Sequence, residues 1–280
     1  MKGFNRLLFI AIIFAIFYYV GWKDDHKSPQ QSGNQSPPQQ AVHVELPEVP
    51  PEPSAPDSVA ERMLPPWPPV MESDAAVVLA DSLTRKNFVL IFDGSGSMAR
   101  PGCSGDRPKH EVAREAVIEW TTSVPEDANL GLIAFDRNGF STRLPLGLAN
   151  RPQFKKEIEK VVPDNNKPLT MALNTAYDML AEQGRKQLGY GEYTVVIITD
   201  GAADDINSLA QSVNMVLTTS PIMIHTIGFC ISGDHPLNRT GRTSYLAVNN
   251  PAELRKGLQE VLAEAETFDI DGFNEQGSTK

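Results

Sequence analysis

Between Lys86 and Phe229 the chain repeats one alternation: a short β-rich apolar run, then a segment whose apolar residues recur at helical spacing. That alternation restricts it to a mostly parallel sheet covered by helices on both faces. The runs are Lys86 to Phe92, Asn129 to Phe135, Tyr193 to Thr199 and Ile222 to Phe229. The helical stripes are Val112, Ala113, Ala116, Val117 and Trp120; then Leu169, Leu173, Ala176, Tyr177 and Leu180; then Ile206, Leu209, Ala210, Val213, Val216 and Leu217. Ser141 to Leu146, after the turn-forming Asn138-Gly139, predicts an antiparallel edge strand. Thr243 to Val248 predicts the last strand. It leads to a helix capped by Asn250 and opened by Pro251, with Leu254, Leu258, Val261 and Leu262 inward. The expected fold class is α/β, doubly wound, with a mostly parallel six-stranded sheet and one antiparallel edge strand.

The first eighty residues have a different character. Lys2 and Arg6 precede sixteen uncharged, mostly apolar residues, Leu7 to Trp22, and Lys23-Asp24-Asp25 closes the run. A helix there spans roughly 24 Å, enough for a single-pass membrane anchor if the flanking cations reach outward. Its end, Tyr18-Tyr19-Val20-Gly21-Trp22, has aromatic residues where a cleavage site would need small ones, so the segment reads as an uncleaved anchor. Positive charge is balanced across it, and a short cytoplasmic tail with an exported domain is the commoner arrangement. From Pro29 to Pro69 lie twelve of the 22 prolines, the composition of an extended spacer rather than of a core. The organisation is therefore an anchor with its flanks at 1–27, a Pro-rich linker at 28–83, one domain at 84–266 and a tail at 267–280. A hydrophobic fraction of 41% over 280 residues suits one such domain. A net charge of −10 with no Lys/Arg cluster argues against nucleic acid as a partner.

The chemistry-bearing segment is Phe92-Asp93-Gly94-Ser95-Gly96-Ser97-Met98, which follows the first apolar run directly. A strand delivers Asp93, glycines allow a sharp turn, and Ser95 and Ser97 can aim hydroxyls at the same point as the Asp93 carboxylate. Two further oxygen donors lie downstream where a doubly wound sheet returns to that crevice: Thr170, and Asp200 in Ile197-Ile198-Thr199-Asp200-Gly201. Taken singly, each of the five is equally a helix cap or turn residue. Together they form a hard oxygen set without His or Cys, which disfavours zinc and copper and selects Mg²⁺, with Mn²⁺ or Ca²⁺ as substitutes.

With those positions the sequence resembles the von Willebrand factor type A family over about residues 84 to 266. The resemblance implies a metal-ion-dependent adhesion site with Asp93, Ser95, Ser97, Thr170 and Asp200 as ligands. It also implies a protein partner that completes the ion's coordination with an Asp or Glu carboxylate. The expected function is thus a membrane-tethered, metal-dependent protein-binding module, with the domain on the extracytoplasmic side. A regulatory partner of an AAA-type ATPase is the alternative if the domain is cytoplasmic. A metal-dependent hydrolase is disfavoured, because no general base, nucleophile or phosphate-cradling loop accompanies the site.

The other candidates are structural. His225 reads as a packed core histidine, and His110 and Asp106 fit no motif. Asp136 ends the second strand and serves either a turn or the surroundings of the metal. Cys103 and Cys230 are both expected on the rim formed by the strands' carboxyl ends, as a disulfide or as two partly buried thiols.

Overall fold

The computed structural model describes residues 66–70, 77–164, 166–201 and 203–266. The anchor, most of the linker and the tail expected from sequence lie outside these residues. Among the described residues no helix is long and apolar enough to cross a membrane.

Six strands form one sheet: β1 Lys86–Asp93, β2 Asn129–Asp136, β3 Gly139–Gly147, β4 Glu192–Thr199, β5 Met223–Phe229 and β6 Ser244–Val248. Their order is β3-β2-β1-β4-β5-β6. All neighbours run parallel except β2 and β3, which form the expected antiparallel edge. The order reverses between β1 and β4, so the crevice at their carboxyl ends is the switch point where this architecture places ligands.

Among the described residues five α-helices cover the sheet: α1 Lys109–Ser123, α2 Arg151–Glu159, α3 Leu169–Lys186, α4 Ile206–Thr219 and α5 Pro251–Glu266. Period-2 alternation along β1 sorts its side chains into two cores. Phe88, Leu90 and Phe92 join Val112, Trp120, Leu254 and Leu258 of α1 and α5. Val89 and Ile91 join Leu173, Ala176, Leu209 and Val213 of α3 and α4 on the other face. The helix α5 begins as expected, with Asn250 Oδ1 accepting from the backbone N–H of Ala252 at 3.0 Å and of Glu253 at 2.9 Å.

Three features depart from the sequence reading. Helix α2 carries only two buried apolar residues, Phe154 and Ile158, too few for a periodic signal. Ile206, expected inward, is 53% exposed, because it opens α4 directly after the Asp205 cap and the buried stripe starts at Leu209. Trp67, assigned by composition to the spacer, packs on the domain with ring centroids 5.4 Å from Tyr193 and 6.0 Å from Tyr177. The chain makes room for it with two glycines. A Cβ on Gly184 would lie 3.1 Å from Trp67 Cζ2, and one on Gly189 3.1 Å from the Trp67 carbonyl.

At the amino ends of the strands, opposite the crevice, three buried amides are joined in series. Asn129 Nδ2 donates to Asn87 Oδ1 at 2.8 Å, and Asn87 Nδ2 donates to Gln187 Oε1 at 2.8 Å. Gln187 Nε2 in turn donates to the Arg85 carbonyl at 3.0 Å.

Candidate functional site

Strand β1 ends on Asp93, fully buried, and the chain must turn at once. Gly94 permits this. Its N–H donates to the Phe135 carbonyl at 2.9 Å, and its carbonyl accepts from the Asp164 N–H at 3.0 Å. A Cβ at Gly94 would fall 2.6 Å from that same Phe135 oxygen and 2.8 Å from Val161 Cγ1, so the position admits no larger residue without a shift. The turn brings the Ser95 N–H to Asp93 Oδ1 at 2.8 Å and opens a short 3-10 turn, Gly96–Ala99. Ser97 Oγ then donates to Asp200 Oδ1 at 2.6 Å, with Ser95 Oγ 3.1 Å from Ser97 Oγ. Four of the five residues expected from sequence therefore meet in one hydrogen-bonded cluster. Thr199, the last residue of β4, closes it by donating from Oγ1 to Asp93 Oδ2 at 2.6 Å.

The fifth, Thr170, stands apart: its Oγ1 is buried, and no described residue hydrogen-bonds to it. What the loop before α3 sends into the cluster is Lys167, with its ammonium 2.7 Å from Asp93 Oδ2 and 2.5 Å from Asp200 Oδ1. A second ammonium, Lys109 at the start of α1, lies 2.6 Å from Asp200 Oδ2. The backbone of Lys167 is fixed as well. Its N–H donates to Asp204 Oδ2 at 2.9 Å, and its carbonyl accepts from the Asp204 N–H at 3.3 Å.

These contacts set the electrostatics. Burial alone would lower the Lys167 ammonium, but the adjacent Asp93 and Asp200 carboxylates outweigh it and hold the group above the ordinary lysine value. For Asp200, burial works toward protonation and is overcome by Lys167, with help from Lys109 and Ser97, so its carboxyl sits below the usual range. Two carboxylates thus face two ammonium groups, and the cluster is neutral as it stands. His235 borders it: its Nδ1 accepts from the Leu237 N–H at 3.1 Å, which leaves Nε2 to donate to the Gly201 carbonyl at 3.2 Å. Lys167, Lys109, Thr199 and His235 were not singled out from sequence. The legible signal was a lysine in Asn166-Lys167-Pro168, inside the loop that also precedes Thr170.

A divalent ion fits this site in one respect and not in another. The hard oxygens of Asp93, Ser95, Ser97 and Asp200 suit Mg²⁺ in type. The point equidistant from the two carboxylates, where an ion would draw both charges, is held by the Lys167 ammonium. Adding two positive charges to a cluster already neutral is unfavourable. With both lysines in place, the residues present do not fit a divalent ion.

The surrounding rim is braced. Cys103 and Cys230 form a disulfide with Cα atoms 5.5 Å apart, tying the loop after the 3-10 turn to the end of β5. Asp136 serves the β2–β3 turn, with Oδ1 accepting from the Asn138 N–H at 2.8 Å and from the Arg143 guanidinium at 2.7 Å. A cavity of about 350 Å³ opens between Phe140, Asn166, Pro168 and Asp204. His225 is buried near the opposite end of β5, consistent with a packed histidine.

The von Willebrand factor type A domain model matches residues 88–202. No curated protein matches the chain. Among solved structures, a von Willebrand factor type A protein from Catenulispora acidiphila is 19% identical with a TM-score of 0.52. That likeness covers 65% of this chain and 43% of the other, so this chain spans less than half of that relative. The von Willebrand factor domain of the type V pili tip protein Mfa5 from Porphyromonas gingivalis is 11% identical with a TM-score of 0.51, covering 66% and 96%. A mutant of the PilB minor pilin from Streptococcus sanguinis is 14% identical with a TM-score of 0.50, covering 70% and 63%. At these identities the structures speak to fold alone, and the fold agrees with the family match. Residues 88–202, running from β1 to just past β4 and through both site aspartates, match the von Willebrand factor type A domain model.

Proposed function

We propose that this domain is a protein-binding module that meets its partner at the carboxyl-end rim around Asp93, Ser97 and Asp200. The observation that carries the reading is the convergence of Asp93, Ser95, Ser97 and Asp200 at the topological switch point, on a rim braced by a disulfide. Asp93, Asp200, Lys109 and Lys167 are each committed to a partner within the cluster. The carboxylates that accept from the Ser97 and Thr199 hydroxyls are themselves held by lysine ammonium groups, which disfavours them as general bases and supports binding rather than catalysis. Leu7 to Trp22 would tether the domain to a membrane through the Pro-rich spacer. The Cys103–Cys230 bridge supports an extracytoplasmic position, since such bonds persist in oxidising compartments. That placement favours the adhesion reading over partnership with a cytoplasmic ATPase.

The test is site-specific photocrosslinking in native membranes. A crosslinker at exposed Arg100, beside the 3-10 turn, should give discrete protein adducts. One at exposed Tyr190, ahead of β4 at the opposite end of the sheet, should give none. Equal labelling from both positions, or adducts from Tyr190 alone, refutes docking at this rim.

A further inference from the structure

We infer that Lys167 is a built-in cation: its ammonium takes the place between Asp93 and Asp200 that a divalent ion would occupy, and it closes the rim site without metal. The inference rests on the proposed function only for its consequence to a partner, namely that docking at this rim is insensitive to chelators.

Three independent observations converge on it. The first is position. Lys167 Nζ lies 2.7 Å from Asp93 Oδ2 and 2.5 Å from Asp200 Oδ1, so one ammonium bridges the carboxylates that end β1 and follow β4. The second is fixation. The Lys167 backbone exchanges hydrogen bonds in both directions with Asp204, the side chain is only 8% exposed, and Pro168 follows directly. A lysine side chain turned out to solvent would not have that burial. The third is charge. Lys109 reaches the far oxygen of Asp200 at 2.6 Å, so the two carboxylates are matched one for one. A buried pair of carboxylates needs compensation, and here the chain supplies it.

The carboxylate oxygens also accept from groups other than lysine. Asp93 Oδ1 accepts from the Ser95 N–H, Asp93 Oδ2 from Thr199, and Asp200 Oδ1 from Ser97. Thr170 Oγ1, in the first turn of α3, makes no hydrogen bond to any of them. A divalent ion entering this cluster would displace Lys167 and break its bridge to both aspartates. It would then sit beside the Lys109 ammonium. Both effects oppose binding.

The experiment is a titration of the whole chain with Mn²⁺, followed by electron paramagnetic resonance of the free ion, in the absence of any partner. The wild type should leave millimolar Mn²⁺ unbound. Lys167→Thr, which removes the ammonium and adds a hydroxyl, should bind at least on the order of 100-fold more tightly. Its melting temperature should fall without metal and rise again with added Mg²⁺ or Mn²⁺, whereas the wild type's should not move. Submillimolar Mn²⁺ binding by the wild type overturns the inference, and so does a folded Lys167→Thr variant that remains inert to metal. A second measurement needs no variant: acetylation of wild-type lysines by an N-hydroxysuccinimide ester, read by mass spectrometry. Lys167 should stay unmodified whether or not millimolar Mn²⁺ is present. Labelling of Lys167 that rises with Mn²⁺ would show an ion expelling the ammonium and sinks the proposal. No outcome of these metal measurements bears on where a partner docks, so they and the crosslinking fail separately.

Discussion

Replacing both Cys103 and Cys230 with Ala should cost this domain a large part of its stability. The bridge closes a loop across a sequence separation of 127, from the 3-10 turn beside the site to the end of β5. In the chain-entropy treatment, removing a cross-link of that span returns about 16–17 cal/mol/K to the unfolded ensemble, about 4.9 kcal/mol at 25 °C. Against a typical total of about 5–15 kcal/mol, that is at least a third. The effect acts through the unfolded state, so it has a second signature. The unbridged chain unfolds to a more expanded ensemble, and its urea m-value should rise while the native contacts stay the same. Equilibrium urea unfolding followed by tryptophan fluorescence reads both quantities. The wild type under reducing agent should approach the double variant, and either single replacement should match it. A loss under about 1 kcal/mol with an unchanged m-value would refute the entropic account.

Two further outcomes follow from other parts of the molecule. Trp67→Ala should lower stability by about 2–3 kcal/mol, because it empties the seat floored by Gly184 and Gly189, and a chain starting at Val77 should show the same loss; equal urea midpoints for chains starting at Ala60 and Val77 would mean that Trp67 contributes nothing. Burial holds His110, His225 and His235 below the ordinary histidine value, partly opposed by the Met98 carbonyl, Glu264 and the Gly201 carbonyl respectively. Their native states therefore favour the neutral ring. Stability from this source is complete above the unfolded value of 6.5 and is lost as pH falls through it. The melting temperature should drop between pH 7.5 and 5.5, a window above the carboxylate titrations; a flat or rising profile contradicts the assignment.

How much could be read without coordinates depended on the kind of signal. Strands β1, β4 and β5 were legible because a doubly covered strand must be short and continuously apolar. Helix α1 was legible because its five inward residues repeat at helical spacing. Helix α2 was not, since two buried side chains in nine residues define no period. Asp93, Ser95, Ser97 and Asp200 could be named because their loop follows a strand directly, which fixes where they point. Lys167 could not. A lysine in a polar loop is normally solvated, and only the fold shows that its stem runs inward to two carboxylates. Thr170, three residues on, brings a buried hydroxyl that makes no hydrogen bond to the cluster. Trp67 was hidden by its neighbours, because four flanking prolines dominate the composition while the packing is decided by one side chain and two distant glycines.

The amide chain at the amino ends of the strands bears on how the sheet finds its alignment. From Phe88 to Asp93 every residue of β1 is buried, and β2 is buried throughout, so apolar patterning does not distinguish one sliding position of these strands from another two residues away. Asn87 and Asn129 lie opposite each other in the observed pairing. A two-residue slip would keep every apolar side chain on its own face yet pull the two amides apart. It would strand a donor and an acceptor in a dry interior at about 1–3 kcal/mol each. Gln187 extends the same constraint to the end of α3, so strand alignment and helix docking are settled by one chain of hydrogen bonds. These buried amides thus exclude the misaligned sheets that an all-apolar centre would tolerate, at the end of the sheet opposite the carboxyl-end rim.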